Sequence, residues 1–157
     1  MVKEKQEEEN DNDNEEKDEY IVPVEHGYYM CIMSSLSFLA GVYAIKRKLY
    51  ALSCSPLIVF GTSVNYWRKP TYGLRRNIDI FFVVSSLSLH TFLSLQPKDT
   101  CISNNYLYCY VTPISGLLYS ISWLLHKNQF LWSSTIAHGM IHIAGNIGNV
   151  FLYKGLS

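Results

Sequence analysis

Apolar residues dominate five segments of the chain, and short polar stretches rich in Lys, Arg or Pro separate these segments. Each segment approaches the ~20 residues that an α-helix needs to cross the hydrocarbon core of a bilayer. None shows the alternation of apolar and polar residues that marks the strands of a membrane barrel, which leaves helices as the spanning structure. The pattern predicts an all-α, polytopic membrane protein with transmembrane helices over about residues 28–45, 49–67, 76–95, 106–125 and 132–153.

The first twenty residues differ from the rest of the chain. Ten of the 13 acidic residues lie before Tyr20, and the same segment holds three of the 13 lysines and arginines. Such a segment contains too few apolar residues to form a core, and it lacks the apolar stretch of a signal peptide. We therefore expect residues 1–20 to be a disordered acidic tail and residues 21–157 to form one transmembrane helical bundle.

Basic residues near the segment ends indicate how the bundle is oriented. Five spans would leave the two chain ends on opposite sides, with eight Lys or Arg residues on the side of the tail and five on the other. The positive-inside rule then predicts a cytoplasmic N-terminus. Basic residues in these positions are expected to meet anionic lipid headgroups, and no motif indicates nucleic-acid binding. The side of the tail carries Lys3, Lys5, Lys17, Arg68, Lys69, Arg75, Arg76 and Lys127, and the other side carries Lys46, Arg47, Lys48, Lys98 and Lys154.

Four ionisable residues lie within the predicted spans: Asp79, His90, His138 and His142. Such residues are costly in lipid and usually face the interior of a bundle, where many are functional. His138 and His142 are four residues apart, so they share one face of a helix, and this spacing is common among zinc ligands. His90 is expected at a depth similar to that of His142 and could complete a zinc site, with Asp79 as a nearby carboxylate.

A structural interpretation of the same residues is also open. His138 and His142 continue into Asn146 and Asn149 on the last span, and such a polar stripe can form hydrogen bonds between helices worth on the order of 0.6 kcal/mol each. Asp79 can pair with Arg75 or Arg76, one turn earlier at the helix start.

One group of residues resembles a known superfamily. The resemblance is carried by four residues in a fixed order along the spans: Ser63 at the end of the second, Asp79 at the start of the third, and His138 and His142 in the last. This order is similar to that of the CREST superfamily. This group includes alkaline ceramidases and progestin and adipoQ receptors. The resemblance implies a zinc site at His138 and His142, with Ser63 and Asp79 as catalytic residues acting on a lipid amide or ester. Two features depart from the family: Trp67 stands at the position of its first zinc histidine, and five spans replace seven.

A weaker resemblance points to a different chemistry. The stretch Ser115-Gly116-Leu117-Leu118-Tyr119, together with His142 in the last span, is similar to the serine and histidine elements of rhomboid intramembrane proteases. Pro113 stands where that family has a glycine, and the family's six-span core exceeds this length.

Three functions are therefore open. The first is a non-enzymatic membrane protein whose polar helix face is structural or binds a ligand. The second is a zinc-dependent hydrolase of the CREST type, with a lipid substrate. The third is a small channel or transporter component, in which the face of His138, Asn146 and Asn149 lines a water path after homo-oligomerisation.

Overall fold

The computed structural model describes residues 20–96 and 103–156, with side chains in the second range described from residue 108 onward. The described chain is all-α and contains five helices, as predicted. Every predicted span corresponds to one of these helices, and no boundary differs by more than four residues. The predictions for the acidic tail and for Lys98 lie outside the described residues. The helices are α1 (Val24–Lys46), α2 (Tyr50–Trp67), α3 (Leu74–Ser94), α4 (Ser103–Lys127) and α5 (Leu131–Leu156).

The turns between helices follow from local sequence. Pro23 precedes α1, where the missing backbone N–H of a proline is tolerated. Gly73, with φ of 129°, precedes α3 and adopts a conformation that a residue with a side chain would rarely take. Lys48 and Gln129 also have positive φ angles in the short turns after α1 and α4. These turns are tight, so consecutive helices run antiparallel.

The five helices pack as a ring. Each helix contacts the next one along the chain, α1 contacts α5 to close the ring, and α3 also touches α5. Two buried apolar clusters lie at opposite ends of the bundle. The cluster where α1 begins and α2 ends contains Val22, Met30, Tyr66 and Trp67, and the other contains Ala44, Tyr108, Val111, Leu152 and Tyr153.

Glycines allow the closest approaches between helices. A Cβ atom at Gly27 of α1 would clash with the carbonyl oxygen of Trp67 in α2, and one at Gly148 of α5 would clash with Val111 in α4. The first of these approaches joins α1 to the end of α2. The second sets the depth at which α5 packs against α4, which matters for the site described below.

Among the described helices, α1 and α3 are long and apolar enough to cross a membrane by length and composition. The mean hydropathy of the other three helices is too low to meet the same criterion, although α2 contains no Asp, Glu, Lys or Arg. Serine, asparagine, tyrosine and tryptophan lower the mean hydropathy of α2, α4 and α5.

Candidate functional site

The carboxylate of Asp79 contacts two hydroxyl groups of the neighbouring helix. Asp79 lies in the second turn of α3 and is only 8% exposed. Its Oδ1 atom accepts hydrogen bonds from Ser63 Oγ at 2.6 Å and from Thr62 Oγ1 at 3.0 Å, both in α2. The sequence indicated either a local ion pair with Arg75 or Arg76, or a position beside His138. The hydroxyls of α2 are instead the hydrogen-bonding partners of this carboxylate.

Ser63 and Asp79, the two residues to which the CREST resemblance assigns catalytic roles, are in hydrogen-bond contact. Ser63 is fully buried, and its short hydrogen bond fixes the hydroxyl toward the carboxylate. Because Ser63 lies on α2 and Asp79 on α3, this contact also ties the two helices together. The catalytic roles of Ser63 and Asp79 remain predictions.

His138 and His142 lie close together on α5, as their spacing predicts. Their ring centroids are 6.1 Å apart. Two aromatic rings also approach His138: Trp67 of α2, edge-on at 5.3 Å, and Tyr119 of α4, at 6.3 Å. The indole of Trp67 therefore occupies space directly next to the imidazole of His138.

His90 lies elsewhere in the bundle. It is fully buried, and its Nε2 atom is 3.1 Å from the hydroxyl oxygen of Tyr153. Tyr153 is eleven residues beyond His142, about 16 Å farther along α5. The side chain of His90 therefore contacts a residue of α5 beyond His142, whereas the sequence predicts a position level with His142. Gly148 of α5 packs closely against Tyr108 and Val111 of α4 in the same part of the bundle.

The predicted zinc ligands do not assemble into a site. Within residues 20–96 and 103–156, no group of three His, Cys, Asp or Glu side chains could hold a metal ion. His138 and His142 provide two neighbouring imidazoles, and His90 contacts Tyr153 instead of completing the set. The donor set needed for a zinc site with three protein ligands is therefore not formed by these residues.

The rest of the polar stripe on α5 contacts neighbouring helices. The Asn146 amide donates to Ser37 Oγ in α1 at 3.1 Å and to the carbonyl of His142 at 2.7 Å, and Asn149 donates to Asn146 at 3.4 Å. Nearer the start of α5, Thr135 is hydrogen-bonded to His26 of α1 at 2.7 Å. These contacts join α5 to α1.

Several residues of this polar network have no signal in the sequence. His26 precedes the predicted first span, and its ring also stacks on Trp132 with centroids 4.0 Å apart. Ser122 of α4 and Ser134 of α5 exchange hydrogen bonds with each other's backbone carbonyls at 2.9 and 2.8 Å. Single serines are too common in apolar helices for a sequence pattern to identify such pairs.

Ser115, the serine of the rhomboid-like stretch, does not pair with a histidine. It is buried in α4, and its Oγ atom has no hydrogen-bond partner among the described residues. A serine nucleophile requires a base within hydrogen-bonding distance, so this arrangement does not form the serine and histidine pair of such an enzyme.

Comparisons of the chain with protein-family models, with curated proteins and with solved structures find no match. The resemblance to the CREST superfamily therefore rests only on the residues quoted for it.

Proposed function

We propose that this chain is a multi-pass integral membrane protein whose five helices all cross the bilayer, and that the polar face of α5 is a structural seam. One observation carries the proposal: side-chain polarity is arranged opposite to that of a water-soluble bundle. Among the described residues, 13 polar or charged side chains are buried, against 11 hydrophobic ones, whereas 31 large hydrophobic side chains are exposed. Water-soluble proteins rarely expose large contiguous apolar surfaces, but a lipid environment accommodates them.

The exposed apolar side chains occur on all five helices. Ile32, Ile58, Phe81, Leu117 and Phe151 are examples from α1 to α5, and each is at least 38% exposed. Charged residues are nearly confined to helix ends, and Asp79 is buried with its hydroxyl partners. This combination supports five spans, including those of α2, α4 and α5.

The hydrogen bonds of α5 support a structural role for its polar face. Lipid provides no hydrophobic force between helices, so packing and interhelical hydrogen bonds hold a membrane bundle together. Asn146 is bonded to Ser37 of α1, and Ser134 to Ser122 of α4. A face bonded to both neighbours favours a closed seam over a water path, which weakens the channel alternative.

Membrane insertion and topology can be tested together. We expect the protein to stay in the membrane pellet after extraction at alkaline pH, with reporters at the two ends of this chain on opposite sides. Reporters inserted after Asn128 should lie on the side of the tail, and reporters after Asp99 on the other side. A peripheral protein released at alkaline pH, or both ends on one side, would contradict the five-span proposal.

A second candidate function is a hydrolase of the CREST type that acts on a lipid amide or ester. The hydrogen bond between Ser63 and Asp79 favours it, because the resemblance implies this pair. The surroundings of His138 do not fit a zinc site, since Trp67 packs there and His90 contacts Tyr153.

Metal analysis separates the two candidates. We expect purified protein to contain far less than one zinc ion per chain, and the double variant His138→Ala/His142→Ala to have the same zinc content. Zinc can be measured by mass spectrometry after dialysis against a weak chelator, with Asn128→Ala as a surface control. Stoichiometric zinc that is lost in the double variant would support the hydrolase and refute the purely structural role.

A further inference from the structure

The turn between α2 and α3 is a basic surface. Arg68, Lys69, Arg75 and Arg76 lie within nine consecutive positions, and the guanidinium of Arg76 is 5.5 Å from the ring centre of Tyr72. A groove of about 300 Å³ opens beside this turn and is lined by Lys69, Thr71, Tyr72, Leu74 and Arg75. We refer to residues 68–76 as the basic turn.

The acidic tail joins the described chain at the basic turn. Tyr20 forms an isolated antiparallel bridge with Thr71, and the backbone N–H of Ile21 donates to the carbonyl of Pro70 at 2.8 Å. Thr71 is also a lining residue of the groove. Tyr20, the first described residue after the tail, is therefore paired with the surface that carries the positive charge, and its neighbour Ile21 makes the hydrogen bond.

The charges of the two segments are complementary. Residues 1–19 contain ten acidic residues and three lysines, a formal charge of −7, whereas the basic turn contains four cations and no acidic residue. We propose that the acidic segment 4–19 folds back on the basic turn and covers its groove. This inference does not depend on the zinc or hydrolase alternatives.

Distance favours the basic turn over the other cations of the chain. Sixteen residues of random coil span roughly 20–24 Å between their ends, and like charges lengthen such a chain, so residues 68–76 beside Tyr20 lie within reach in either case. Tethering of this kind gives effective concentrations in the millimolar range. Lys46, Arg47 and Lys48 lie at the far end of α1, about 34 Å along a helix of 23 residues. They are chemically similar but lie at the opposite end of the bundle from Tyr20.

Anionic lipid headgroups are the competing partner for the same cations. They carry the same kind of charge, and basic residues beside a membrane attract them. The tail is the favoured partner of these cations because it is covalently joined to Tyr20, which lies beside the basic turn, whereas a lipid must bind from the bilayer. Since exposed charges are screened within about 10 Å at 0.1 M salt, occupancy by the tail should fall as salt rises.

Carbodiimide cross-linking tests the contact, because this reagent joins a carboxylate to a lysine amine only when the two groups touch. Chymotrypsin can then cut the cross-linked protein into peptides. Cleavage after Tyr20 releases the tail, and cleavage after Trp67 and Tyr72 releases the peptide of residues 68–72, which contains Lys69. We expect Lys69 to be linked to acids of residues 4–13 in detergent at 20 mM salt, and the yield to fall at least five-fold at 500 mM. Links to Asp18 and Glu19 carry no weight, since the chain itself keeps them near the turn.

Charge variants identify the surface responsible. The triple variant Arg68→Gln/Arg75→Gln/Arg76→Gln retains Lys69 and should lower the yield about five-fold. The matched variant Lys46→Gln/Arg47→Gln/Lys48→Gln should leave it unchanged. Glu7→Gln/Glu8→Gln/Glu9→Gln changes only the tail, leaves the bundle intact, and should also lower the yield.

The proposal is overturned if distal acids give no link to Lys69 at low salt, or if the two cation triples behave alike. Lipid competition gives a further result. In nanodiscs of phosphatidylcholine the link should persist, and adding phosphatidylserine should reduce it. Equally low yields in both would mean that the tail does not occupy the turn.

Discussion

Replacing Gly27 with alanine is expected to lower the free energy of unfolding by about 2–3 kcal/mol, because the new methyl group would meet a backbone atom that cannot rotate away. A Cβ atom at this position would overlap the carbonyl oxygen of Trp67 and would lie 3.8 Å from Cδ of Pro70. To relieve this overlap, α1 and the end of α2 must move apart. The shift at the end of α2 would also move Trp67 away from His138. Thermal unfolding in detergent measures the loss.

Gly61 provides the matched control for this substitution. It lies inside α2, and a Cβ atom there would meet nothing within 4 Å. Alanine has a higher helix propensity than glycine, so Gly61→Ala should be neutral or stabilising by up to about 1 kcal/mol. If Gly27→Ala were as well tolerated as Gly61→Ala, the close contact between α1 and Trp67 would be wrong.

The helices were predictable because their signals are local. Apolar runs and the breaks at Lys46–Lys48, Pro70 and Gly73 are read directly from the chain, and they give each boundary to within four residues. Helical periodicity also gives the direction of a side chain around its own helix. His138 and His142 are neighbours for this reason.

The partners across the bundle were less predictable because depth depends on packing. The pairing of His90 with Tyr153 depends on how far α5 slides along α4, and Gly148 sets that position through Tyr108 and Val111. The periodicity of apolar residues along a helix does not show how far that helix is shifted along its neighbour. A weak resemblance did associate Ser63 with Asp79, but reasoning from the residues alone gave Asp79 an arginine or a histidine as its partner.

Asp79 and Ser63 are expected to be energetically coupled, with an interaction of about 1.5–2 kcal/mol in a double-mutant cycle. A hydrogen bond to a charged group is typically worth about 1.5–3 kcal/mol, and removing the buried carboxylate leaves the Ser63 hydroxyl without its acceptor. The cycle compares Asp79→Ala, Ser63→Ala and the double variant by unfolding in detergent. Asp79→Asn keeps an acceptor oxygen and should destabilise the protein less than Asp79→Ala.

Ser86 supplies the control for this cycle. It lies on α3 two turns after Asp79, and its hydroxyl is hydrogen-bonded to Ser55 of α2 at 2.7 Å, so it joins the same two helices without touching Asp79. Asp79→Ala and Ser86→Ala should be additive within about 0.5 kcal/mol, as expected of sites that share no partner. Coupling of similar size in both cycles would indicate a general loosening of α3. Coupling confined to Ser63 would establish the contact between Ser63 and Asp79 as a specific polar link between α2 and α3, whether or not the pair also acts on a substrate.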